Sequence, residues 1–103
     1  MSMTELETIR AKTVAALAAV EDDAGASPVL RAVVREFANK ANKAVDLVAG
    51  DRAWEAVVEF EQAGDSAKAA AEADVDAAPA TTASIQDAHL AICMLKAGSG
   101  NGS

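Results

Sequence analysis

Residues 28–49 leave the chain little choice of fold. At helical spacing, Leu30, Val33, Val34, Phe37, Ala41, Ala44, Val45, Leu47 and Val48 fall on one half of the wheel. Arg31, Arg35, Asn39, Asn42, Lys43 and Asp46 fall on the other. A strand alternates its faces every second residue and could not separate these two sets. Ser27 supplies an N-cap and Pro28 a first-turn residue with φ already set. The apolar face is wide enough to touch two neighbours, so this segment is expected to be the central helix of a bundle.

Composition extends that expectation to the whole chain. Alanine, the best helix former, takes 27 of the 103 positions. The only aromatics are Phe37, Trp54 and Phe60, with no tyrosine, a poor supply for the strands of a sandwich or barrel. A first helix is expected from a Thr4–Glu7 capping box, with Leu6, Ile9, Thr13, Ala16, Leu17 and Val20 as its buried stripe and Gly25 as its stop. A third follows Gly50-Asp51 on a stripe of small residues: Ala53, Val57, Phe60, Gly64, Ala67 and Ala71. Gly64 costs about 1 kcal/mol against alanine in a helix, so the sequence leaves open whether helix three kinks or breaks at Gly64-Asp65-Ser66. A fourth helix is expected from Thr81 or Thr82 to Ala97, with Gly98 as its stop.

Short connections between four helices predict an all-α, small antiparallel four-helix bundle. The alternative is a three-helix core with helix four docked on a partner subunit. Residues 1–97 are read as a single helical domain and residues 98–103, rich in Gly, Ser and Asn, as a flexible tail. No repeat of 20–50 residues stands out beyond the helix spacing.

Charge narrows the partners. The net charge of −7 lacks the Lys/Arg footprint of a nucleic-acid binder, so no nucleic acid is expected. Residues 4–23 carry five acids and two bases, 28–49 four bases and two acids, and 51–74 seven acids and two bases. A basic segment between acidic ones can be complementary inside one bundle, or present an acidic surface to a basic partner. Cys93 is the only cysteine, which excludes an internal disulfide and suits a reducing, cytoplasmic compartment. The longest apolar run, Leu90–Leu95, is far short of a membrane span, and no signal peptide is legible.

Few residues offer chemistry. His89 and Cys93 are four apart and share one helix face, a spacing that can present two ligands to a soft metal. Two ligands are half a site, which a dimer would complete. The plainer reading is a core-edge histidine beside an ordinary cysteine, with no metal or cofactor. Glu55 and Glu59, one turn apart, form a carboxylate pair, and Glu72, Asp74 and Asp76 an acidic cluster without the glycine and closing glutamate of an EF-hand. No catalytic set is complete, so a non-enzymatic role is expected.

Helix four carries a second apolar line, Leu90 and Met94, nearly opposite Ile85, Ala88, Ile92 and Leu95. Trp54 and Val58 form a similar off-stripe pair on helix three. Leu90, Met94, Trp54 and Val58 are therefore the expected interaction surface, and the expected function is a non-catalytic helical protein-interaction module, most simply a homodimer. A metal- or cofactor-binding helical oligomer using His89 and Cys93 is the alternative. In length, helix number and single histidine the chain also resembles a histidine phosphotransfer domain, in which His89 would accept the phosphoryl group. That family places a lysine and a glycine soon after its histidine; here the next lysine is Lys96, and only a short tail follows.

Overall fold

A computed structural model describes residues 3–101. The chain forms α1 (Met3–Asp22), α2 (Pro28–Leu47), α3 (Ala53–Ala73) and α4 (Pro79–Asn101), with no strand among the described residues. Each helix packs on two neighbours: α1 on α2 and α4, α3 on α2 and α4. This is the expected antiparallel four-helix bundle. Helix four lies on α1 and α3 of its own chain, so the three-helix alternative does not hold.

The core follows the expected stripes. Leu6, Val20, Leu30, Val34, Phe37, Val57, Phe60, Ile85 and Ile92 are fully buried. The Ser27 side chain caps α2 by accepting the Leu30 N–H at 3.1 Å, as its sequence predicted. The basic middle segment is partly neutralised inside the bundle. Arg35 pairs with Glu21 at 3.6 Å, while Lys40 and Lys43 share Glu59 at 2.8 and 3.2 Å. Lys40, then Lys43, holds the Glu59 carboxyl below the usual carboxylate range.

The helix ends differ from expectation in three places, and the question left open inside α3 is resolved. α1 is already helical at Met3, so Thr4 lies in its first turn, where its carbonyl accepts the Thr8 hydroxyl; no capping box forms. α3 runs unbroken through Gly64, because packing outweighs the propensity cost. α4 starts at Pro79, and the Thr81 hydroxyl is spent on Asp23 at 2.9 Å rather than on its own helix end. α4 also continues past Gly98 to Asn101; the last two residues of the expected tail, 102 and 103, lie outside the described residues. No described glycine has positive φ, so none acts as a left-handed stop.

The two hairpins, α1–α2 and α3–α4, repeat each other at an offset of 51 residues, from Asp23 to Asp74. On α1 the buried positions are Leu6, Ile9, Thr13, Ala16 and Val20; on α3 their counterparts Val57, Phe60, Gly64, Ala67 and Ala71 are buried. On α2, Leu30, Val34, Phe37, Ala41 and Ala44 match Thr81, Ile85, Ala88, Ile92 and Leu95 on α4. The two connecting loops clasp one another reciprocally. Asp23 accepts the Ala78 N–H at 2.7 Å, and Asp74 accepts the Ser27 N–H at 2.8 Å. Each also accepts an N–H two residues on, from Gly25 and Asp76. Each carboxylate thus satisfies orphan amides at the start of the other hairpin's second helix, and these bonds hold both groups below the usual carboxylate range. Gly25 sits where the loops cross: a Cβ there would run into the Asp76 backbone carbonyl.

Candidate functional site

The reciprocity of the hairpins makes their differences visible. The seam between α3 and α4 gathers an imidazole, a thiol and two carboxylates at positions where the seam between α1 and α2 has none of these groups. His89 and Cys93, four apart on α4, face Glu61 and Asp65, four apart on α3. The antiparallel turn near Ala77 sets the register: Asp65 and His89 lie twelve residues before and after it, Glu61 and Cys93 sixteen. Glu61 and Asp65 were not singled out in the sequence. The signal was there, as a second pair at the same spacing and at mirrored distances from the turn.

The contacts are short. His89 Nε2 lies 2.6 Å from Asp65 Oδ1 and 3.3 Å from Cys93 Sγ. The Cys93 thiol points at Glu61 Oε2 at 3.7 Å, while the other Glu61 oxygen, Oε1, accepts from Lys96 Nζ at 3.2 Å. One donor atom from each of Glu61, Asp65, His89 and Cys93 lies within 4.8 Å of every other. His89 and Glu61 are each 14% exposed; Asp65, at 56%, forms the open side. Burial, then the carboxylates of Glu61 and Asp65, pushes the Cys93 thiol above its usual value, so as it stands the sulfur keeps its proton and is a poor nucleophile. His89 Nε2 is likewise engaged, by Asp65 on the open side of the cluster and by Cys93.

Gly64 makes room for the histidine. A Cβ on it would stand 3.0 Å from His89 Cδ2 and 3.0 Å from Phe37 Cε1. The residue that left the continuity of α3 open in the sequence lets two rings lie against the helix backbone.

The other carboxylate groups are occupied structurally. Glu59 belongs to Lys40 and Lys43, Glu55 to Arg52 at 3.2 Å, and they do not act as a pair. Glu72 pairs with Lys68, and Asp74 is committed to the loop clasp, so no cluster with Asp76 forms.

The second apolar line of α4 opens onto a groove of about 590 Å³ between α1 and α4. Ile9, Ala91 and Leu95 lie within it alongside Leu90 and Met94, and a Lys12–Asp87 pair at 2.9 Å spans the two helices. Leu90 is 58% and Met94 66% exposed. Trp54 (exposed) and Val58 (half-buried) lie outside this groove on α3, so the two patches do not cover each other within one chain.

No described helix is long and apolar enough to cross a membrane. Compared with known protein families, curated proteins and solved structures, the chain matches none.

Proposed function

We propose that this protein is a non-catalytic association module that pairs with a second copy of itself through the α1–α4 face. The observation that supports this reading is the contrast between the two seams that join the hairpins. Where α2 meets α3, Phe37 packs against Phe60 with ring centroids 5.3 Å apart and planes tilted by 52°, and Lys40 and Lys43 of α2 pair with Glu59 of α3. Where α4 meets α1, the same positions hold Ala88, Ile9, Ala91, Met94 and Thr8. Small residues leave the groove, the two lysine positions have become apolar and the glutamate position uncharged. The sister residues of Leu90 and Met94 are Asn39 and Lys43, so the fold itself does not require large apolar groups there.

Charge favours a second copy as the occupant. The chain carries −7, which repels copies over most approaches. The groove between α1 and α4 is lined by only three charged residues, Glu5, Lys12 and Asp87, and Lys12 pairs with Asp87, so its net charge is −1. Two acidic chains meet there at least electrostatic cost. Sedimentation should show a dimer for the wild type. Leu90→Asn with Met94→Lys, residues the sister helix already carries, should sediment as a monomer of unchanged helicity. A wild type that stays monomeric from micromolar to millimolar concentration overturns the reading.

A further inference from the structure

We propose that the α3–α4 seam is a binding site for one divalent transition-metal ion of the zinc class, held by Glu61, Asp65, His89 and Cys93 of a single chain. The expected shortage of ligands is removed by α3. The sequence gives two donors on α4, and the fold sets two more opposite them, so the site needs no second copy and stands apart from the association face.

The spacing fits the ion. Metal–ligand bonds of ~2.0–2.3 Å in a tetrahedron place donor atoms about 3.3–3.6 Å apart. Cys93 Sγ and His89 Nε2 are 3.3 Å apart, and Cys93 Sγ and Glu61 Oε2 are 3.7 Å apart. His89 and Asp65, at 2.6 Å, are closer than that because a proton lies between them. Asp65 is the most exposed of the four and can swing outward to admit the ion. The thiol proton leaves to solvent as the sulfur becomes a ligand, and the proton between His89 and Asp65 passes through solvent to Nδ1, so that neutral imidazole binds through Nε2.

The donor chemistry selects among metals. A thiolate and an imidazole are wasted on magnesium or calcium, which take oxygen, whereas zinc and cobalt(II) accept sulfur, nitrogen and carboxylate together. Three anionic donors around a dication leave one negative charge in excess. Lys96 supplies the balancing positive charge, through the Glu61 oxygen that does not face Cys93. In this way Glu61 keeps Oε2 for the ion.

The sister seam shows that folding does not demand this set. The positions equivalent to Glu61, Asp65, His89, Cys93 and Lys96 are Arg10, Val14, Ala38, Asn42 and Val45, which contain neither an imidazole, a thiol nor a carboxylate. Gly64 is a second, independent mark. The sister position is Thr13, and the absence of a side chain at 64 is what admits the imidazole beside α3.

The test is clean because the chain has one histidine and one cysteine. Cobalt(II) added to the reduced full-length protein should give an intense thiolate-to-cobalt charge-transfer band and tetrahedral visible bands that saturate at one ion per chain. Zinc should then bleach them. Loss of an outer-sphere partner alone weakens metal sites by about 10- to 100-fold, so Cys93→Ser, His89→Ala and Glu61→Gln should each weaken zinc by about a hundredfold or more. Circular dichroism checks that each variant remains helical, and Lys68→Ala serves as an exposed control that should bind normally. The Leu90→Asn/Met94→Lys variant should also bind normally, which separates this site from the association face. Absence of the charge-transfer band overturns the proposal. So does zinc binding that survives both Cys93→Ser and His89→Ala, which would mark adventitious binding by surface carboxylates, and so does saturation at one ion per two chains.

Discussion

The α1–α2 and α3–α4 hairpins have the same pattern of burial and the same loop clasp, yet they distribute volume and charge in opposite ways. Within α1–α2, the bulk at one central level is Thr13, whose hydroxyl is satisfied by the Ile9 carbonyl at 2.9 Å, and the equivalent of His89 is Ala38. Within α3–α4 the larger group has moved across the seam: Gly64 has no side chain and His89 occupies the space. The seams between hairpins diverge likewise. Phe37 and Phe60 fill one, Ala88 and Ile9 underfill the other. A few shared positions therefore suffice to specify the bundle. The unshared positions carry what the fold does not need, and both proposed activities sit on them.

The largest effect should come from emptying the filled seam. Phe37 is fully buried against Phe60 and the Gly64 backbone, so Phe37→Ala should cost about 3–5 kcal/mol, read as a shift in urea midpoint. Ile9→Ala, at the equivalent of Phe60, should fall near the lower end of the range for such truncations, about 2 kcal/mol, because the open groove lets neighbours settle. Lys43→Ala removes one of two lysines on Glu59 and should stay under about 1 kcal/mol. Equal midpoints for Phe37→Ala and Ile9→Ala would break the distinction between the two seams.

How much of this was readable in the sequence depends on distance along the chain. The faces of α2, the Ser27 cap and both apolar lines of α4 follow from local spacing, and the structure reproduces them. The repeat did not show, because the hairpins share pattern more than identity. Its traces are Glu21/Glu72, Asp23/Asp74, Ala26/Ala77 and Pro28/Pro79 around the turns, where backbone geometry, not packing, restricts the residue. The site was half legible. His89 and Cys93 share one helix and announce themselves by spacing; Glu61 and Asp65 join them only once the register of α3 against α4 is fixed. The role of Gly64 stayed open in the sequence because helix propensity is a local quantity, whereas the reason for this glycine is two rings contributed by other helices.

An intermediate effect tests the exchange of volume directly. Ala38→His places an imidazole at the sister position while Thr13 still fills the facing space, so overpacking should cost about 1–3 kcal/mol. Adding Thr13→Gly should recover part of that loss, although glycine alone lowers helix stability by several tenths of a kcal/mol relative to threonine. A double-mutant cycle from denaturation curves gives the coupling between the two sites. Favourable coupling sharpens the comparison. A coupling of zero means that positions 13 and 38 do not face each other as 64 and 89 do.

The smallest effect concerns the one place where the hairpins end differently. α2 closes at Leu47 to turn into α3, whereas α4 passes the equivalent residue, Gly98, and continues to Asn101. Nothing stands within 4 Å of a Cβ placed on Gly98, so alanine there changes no packing. What it changes is backbone freedom: in a helix, Gly→Ala is worth up to about 1 kcal/mol, and in a coil nearly nothing. Near a helix end the gain should be about half that, a small rise in urea midpoint with a matching increase in helical circular dichroism. The glycine-rich composition of residues 98–103 argues for a coil, and the unbroken ladder of α4 argues for a helix. A Gly98→Ala variant indistinguishable from wild type would decide for composition, and would end the second hairpin near Ala97, within one residue of where the first ends.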